Sequence, residues 1–155
     1  MLCCFKKTKL DILHGMYFTK TLYYNKNKSI KLYRNSNKKY YIIKEHQNKA
    51  LYNNELDILC NLYHKSIINI VYSQEHYKIG YLKMPYYKNG DLFNYFQCSS
   101  SWDIEKIHQY FTIISHTINY CHNKNIVHGD IKLENFVLDE NFRPILIDFE
   151  NSYRI

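Results

Sequence analysis

Along the first half of the chain, short runs of β-branched and aromatic residues alternate with clusters of asparagine, lysine and serine. Residues 16–24 and 29–34 have strand composition. Asn25-Lys26-Asn27-Lys28 between them predicts a turn, because asparagine tolerates left-handed backbone angles. Asn35-Ser36-Asn37-Lys38 predicts a second turn ahead of Tyr40-Tyr41-Ile42-Ile43-Lys44, which completes a three-strand antiparallel meander. From about 47 to 63 the period lengthens: Leu51, Leu56 with Leu59, and Leu62 recur at near-helical spacing, with Glu55 one turn before Leu59. Residues 67–72 and 77–84 predict two further strands, the second ended by Pro85, and 91–96 a short helix.

The second half opens on Ser99-Ser100-Ser101, a predicted loop and cap. Asp103 and Glu105 follow where the positive end of a helix dipole favours acids. Ile107, Phe111, Ile114 and Ile118 then form an apolar stripe leading to Cys121, so a long amphipathic helix is expected here. Short strands are expected at 136–138 and 144–147. There is no internal repeat. The order is five strands with one helix after the third, then helices and a β-pair. That is an α+β layout of two lobes, 1–84 and 85–155, with 85–89 as the crossing segment.

Composition narrows the class. With 155 residues, 46% of them hydrophobic, and only four Gly and two Pro, the chain can bury a core and is no low-complexity or collagen-like polymer. No apolar run approaches the roughly 20 residues of a membrane span, and no signal-peptide core follows the start. Five scattered cysteines without a CxxC pair imply free thiols in a reducing compartment, hence a cytoplasmic location. No HExxH or Cys/His cluster offers a zinc site. The net charge of +7 accompanies an excess of Tyr, Asn, Lys and Ile, residues of AT-rich codons such as those of some parasites and large DNA viruses. That bias accounts for the charge, and no ordered basic-aromatic motif points to a specific nucleic-acid partner.

One stretch carries chemistry: His128-Gly129-Asp130-Ile131-Lys132-Leu133-Glu134-Asn135, followed by Leu146-Ile147-Asp148-Phe149-Glu150. Taken singly, each polar residue has an ordinary structural role. Lys44 fits an edge-strand lysine that blunts aggregation, Glu55 a solvated helix residue, His128 a packed core histidine, and Asn135 and Asp148 turn caps. Met84 and Val137 fit plain core packing. Their joint order and spacing is what singles them out.

That order resembles the protein kinase family. The first stretch is similar to the catalytic loop H-R-D-x-x-x-x-N and the second to the D-F-G turn, with the two aspartates eighteen residues apart. Ile42-Ile43-Lys44 stands where the family carries V-A-I-K on its third strand. Residues 81–92 look like its fifth strand and hinge. The resemblance implies a kinase-like two-lobe α+β fold: a five-stranded antiparallel sheet with one helix in the first lobe, and an incomplete helical second lobe. It implies ATP and Mg2+ as cofactors. Lys44 would hold the α- and β-phosphates, steadied by Glu55; Asp148 and Asn135 would bind magnesium; Asp130 would orient and deprotonate the acceptor hydroxyl; Lys132 would steady the transferred phosphate. Lysine at that place is the serine/threonine type's choice. Adenine would lie near the crossing segment, with Met84 as gatekeeper, the backbone of Pro85 and Tyr87 as partners, Asp91 on the ribose and Val137 as the apolar floor.

Four features depart from the pattern. The glycine-rich loop is replaced by Asn25-Lys26-Asn27-Lys28, Ile42 replaces a small alanine over adenine, Glu150 replaces the glycine after Asp-Phe, and Gly129 replaces arginine. The chain also ends at Ile155, before the family's activation segment and helical base, so Ile114, Ile118 or neighbours are expected to present apolar surface that a second chain could cover. The expectation is therefore an ATP-dependent serine/threonine protein kinase acting on protein substrates. The alternative is a catalytically impaired mimic that binds or inhibits partner kinases. Cys3-Cys4 beside Lys6-Lys7 adds a candidate S-acylation site.

Overall fold

A computed structural model describes residues 11–98 and 103–155 of the chain. The cysteine pair of the candidate acylation site and Ser99-Ser100-Ser101 lie outside the described residues. The fold comprises two compact units, 11–52 with Ile70–Tyr86, and Asn53–Asn69 with Tyr87–Ile155.

The first unit is a five-stranded antiparallel sheet. Strands β1 (Met16–Tyr24), β2 (Lys28–Asn35) and β3 (Tyr40–His46) form the expected meander. Helix α1 (Lys49–Cys60) follows, then β4 (Tyr72–His76) and β5 (Ile79–Pro85), in the sheet order β1-β2-β3-β5-β4. The Asn25 turn forms as its chemistry dictates: its Oδ1 accepts from the backbone N–H groups of Asn27 and Lys28, each at 2.8 Å. Strand β1 is an edge. It exposes almost every side chain and carries two register shifts, irregularities of the kind by which edges avoid pairing with other chains. The core gathers Ile12, Tyr33, Ile43 and Tyr81 from the first 3-10 turn, β2, β3 and β5.

The fourth strand departs from expectation. Residues 67–72 read as a strand because Ile67 and Ile68 are apolar, but both are buried in the second unit, where Ile67 makes a single parallel bridge to Leu146. The sheet takes the more polar Tyr72–His76 instead. It turns into β5 through Tyr77 and Lys78, both at positive φ (46° and 66°), the geometry of a two-residue hairpin without its usual Asn-Gly signature.

In the second unit, α2 (Leu92–Cys98) and α3 (Ile104–Asn123) precede the short pairs β6 (Ile126–Val127), β7 (Phe136–Leu138), β8 (Pro144–Leu146) and β9 (Tyr153–Arg154). Asp103 caps α3, its carboxylate accepting from the N–H groups of Glu105 and Lys106. The helix buries Tyr110, Thr117 and Cys121, while Ile107, Ile114 and Ile118 are half-buried. Of the apolar surface expected at Ile114, Ile118 or their neighbours, the strongly exposed side chains are Phe111 and, at the start of the helix, Ile104, 62% and 79% exposed. Their angular offset from the buried Tyr110 line is larger, so they sit on the flank. Tyr120 ties α3 to the segment after α1: its hydroxyl accepts from the N–H of Tyr63 and donates to the Tyr63 carbonyl, both at 3.0 Å.

Two close fits yield predictions. A methyl added at Gly80 would lie 2.1 Å from the Tyr52 ring, so Gly80→Ala should cost about 1–3 kcal/mol, read from urea unfolding. Burial pushes the Cys121 thiol up to about 11, whereas Cys60 and Cys98 are exposed. Iodoacetamide at neutral pH should therefore label Cys60 and Cys98 in the native chain and reach Cys121 only on unfolding, as mass spectrometry would show.

Candidate active site

In the second unit, the chain from β6 through β9 folds so that its polar residues meet. His128 is buried. Its Nδ1 accepts from the N–H of Asp130 at 3.3 Å, and its Nε2 lies 3.0 Å from the Ile147 carbonyl. An acceptor at one nitrogen and a carbonyl at the other define the neutral ring with the proton on Nε2. The ring also packs edge-on against Phe149, 4.7 Å between centroids. The N–H of Ile147 donates to the Asn135 carbonyl at 2.9 Å. Thus the residue just before Asp148 is bonded to both ends of the 128–135 loop.

Asp130 sits at the centre of that loop. Lys132 Nζ lies 2.7 Å from its Oδ2, and Asn135 Nδ2 donates to the same oxygen at 2.9 Å and to the Asp130 carbonyl at 2.7 Å. Both partners engage the same oxygen, Oδ2. The Lys132 hydrogen bond, then that of Asn135, holds the Asp130 carboxyl below the usual carboxylate range, and Asp130 in turn raises the Lys132 ammonium. Because the Asn135 amide spends its N–H groups on Asp130, its Oδ1 is the atom left for a cation. Asp148 adopts a left-handed conformation, φ 62° and ψ 69°, at the head of the 3-10 turn Phe149–Asn151. Glu150 does not need positive φ, so the glycine it replaces is not required by the backbone here. Oxygen donors from Asp148 and Asn135 form a hard set of the kind that suits Mg2+.

In the first unit, Lys44 lies on the central strand β3, opposite Ile30 of β2 and Leu82 of β5. It is only 2% exposed, which removes the edge-strand role. Glu55, on the part of α1 that belongs to the second unit, is 1% exposed, no solvated helix residue. Buried charges of this kind need compensation, and their burial marks them as more than surface decoration. Met84 is buried on β5 opposite Ile42, and Pro85 ends that strand opposite Tyr41.

The remaining expected residues belong to the second unit. Asp91 bridges Val137 of β7 and caps α2: its two carboxylate oxygens accept from the N–H and the side-chain amide of Asn94, each at 2.8 Å. The Tyr87 hydroxyl is pushed up by burial and by Asp139 and Glu140. Two residues escaped the sequence reading. Ser152 donates from Oγ to the His128 carbonyl at 2.9 Å, and Asn54 donates to the Ser152 carbonyl at 2.8 Å. Neither carries a local signal, since each matters only through a partner far along the chain.

An α+β fold with this loop-and-turn arrangement defines a class. A model of the protein kinase domain matches residues 18–155, and the chain belongs to the protein kinase family. Among its relatives, it is 34% identical over 95 residues to serine/threonine-protein kinase SIK1 of Mus musculus, covering 61% of this chain and 12% of that protein. It is 33% identical over 102 residues to testis-specific serine/threonine-protein kinase 2 of Mus musculus, covering 64% of this chain and 28% of the relative. It is 31% identical over 107 residues to NUAK family SNF1-like kinase 1 of Homo sapiens, covering 69% and 16%. The chain thus spans 12–28% of the length of these relatives.

The histidine generates a pH prediction. Burial lowers the His128 pKa, against the opposing Ile147 carbonyl bond and nearby acids. A lowered folded-state value means full stability above about pH 6.5, lost as pH falls and the unfolded chain binds the proton first. His64 shifts the same way, again chiefly through burial. Thermal unfolding should therefore show a steeper loss of midpoint between about pH 7 and pH 5 in the native chain than in His128→Gln. Equal slopes would remove His128 as a source of the pH dependence.

Proposed function

We propose that the chain transfers the terminal phosphoryl group of ATP to serine or threonine hydroxyls of protein substrates. The observation that carries this reading is the Asp130–Lys132–Asn135 cluster, three groups on one short loop whose bonds orient a single carboxylate. Phosphoryl transfer asks for positioning and charge neutralisation more than for covalent help, and that is what such a cluster supplies.

In this reading Asp130 aligns the acceptor hydroxyl through Oδ1. Its lowered pKa keeps it ionised at neutral pH, so it works mainly as an orienting acceptor and takes the proton late. Lys132 is held beside it, where a cation offsets charge on the transferred group. Asn135 and Asp148 hold Mg2+, which when bound neutralises phosphate charge. Lys44 supplies the cation for the α- and β-phosphates, and Glu55 the carboxylate that anchors it. Met84, Pro85, Tyr87 and Val137 accommodate adenine, and Asp91 the ribose in addition to its capping of α2. The names of the relatives, together with a lysine two residues after Asp130, support serine/threonine over tyrosine acceptors.

The test is nucleotide binding followed by turnover. Mg2+-ATP should raise the thermal midpoint of the native chain, and Lys44→Met and Asp148→Asn should each abolish most of that shift. Asp130→Asn should keep the shift and lose phosphate transfer to a serine/threonine peptide library by about 10²–10⁴-fold. A native chain whose midpoint ignores Mg2+-ATP would sink the reading.

A further inference from the structure

Gly129 stands at φ 81°, in the left-handed region where L side chains are strained. A Cβ built on it would lie 2.5 Å from the backbone carbonyl oxygen of Asn151 and 3.2 Å from its carbonyl carbon. The obstacle is backbone, not the far end of a flexible side chain, so it cannot swing aside. Asn151 closes the 3-10 turn that Asp148 heads.

That turn is held on both sides. Upstream, Ile147 is bonded to the Asn135 carbonyl and to His128 Nε2. Downstream, Ser152 Oγ donates to the His128 carbonyl within the buried interior, and Val127 and Ile126 pair with Tyr153 and Arg154. A side chain at 129 would push on the middle of a segment fixed at 147 and again at 152. Only the torsions between those anchors can absorb the push, and Asp148, already left-handed, is among them.

We infer that Gly129 is a positioning residue for Asp148: its bare backbone lets the Asn151 carbonyl close onto the catalytic loop, and this sets the conformation in which Asp148 presents its carboxylate. The arginine that the kinase pattern carries at this place would not fit the present packing. The inference rests on the proposed metal role of Asp148.

The experiment titrates Mg2+ at saturating ADP and reads the thermal shift, with adenosine, which has no phosphate, as the metal-independent control. Gly129→Ala should weaken apparent Mg2+ affinity by about tenfold to a hundredfold, the range for losing a supporting partner, and leave the adenosine shift unchanged. A second variant separates packing from folding. Ligation at Cys121 gives access to a chain with D-alanine at 129, which keeps positive φ and turns its methyl away from Asn151. It should bind Mg2+ as the native chain does, whether or not Gly129→Ala folds. Native Mg2+ affinity in Gly129→Ala, while Asp148→Asn abolishes it, overturns the inference and leaves the metal role standing. Weakened affinity in the D-alanine chain also overturns it. Unchanged affinity in Asp148→Asn removes the metal role, and the inference with it.

Discussion

The second unit depends on a neutral, buried imidazole. His128 touches three things at once: the backbone of Asp130, the carbonyl of Ile147 and the ring of Phe149. Through them it binds the loop that carries Asp130, Lys132 and Asn135 to the segment that carries Asp148. An ammonium or carboxylate could not take the same place, because the site asks for one donor and one acceptor in an apolar setting. Protonation would cost the acceptor, and burial lowers the pKa against the Ile147 hydrogen bond and the nearby acids.

Around this joint the molecule spends short secondary structure on precision. Strands β6 and β9 pair over only two residues each, and β7 and β8 over three. Such ladders are too brief to be stable alone. They persist because Ser152, Asn54 and the Ile147–Asn135 bond add side-chain and loop hydrogen bonds to the same register. The close approach at Gly129 belongs to this economy, since removing one Cβ lets two backbones meet without a further element.

The departures from the kinase pattern have distinct physical consequences. The Asn25 turn is self-sufficient, with its side chain bonded to its own backbone, so the hairpin forms without glycines. Glu150 stands in ordinary helical-turn geometry and leaves the left-handed duty to Asp148. Gly129 is the reverse case: here the departure is itself required by the packing.

Much of this was legible beforehand for identifiable reasons. Composition and period located β1, β2, β3, α1 and α3 to within a few residues, because turn chemistry and helical spacing are local properties. The cluster of Asp130, Lys132 and Asn135 was legible because it lies within six residues of one loop. The strand at Tyr72–His76 was not, since its polar composition hides an edge position, and neither was the Tyr77-Lys78 turn, which adopts left-handed angles without glycine or asparagine. Determined by the sequence alone were the types of the main elements and the chemistry of the loop, because both follow from neighbouring residues. Decided only by the tertiary structure were the burial of Lys44 and Glu55, the roles of Ser152 and Asn54, and the need for glycine at 129, because each depends on residues brought close from distant parts of the chain.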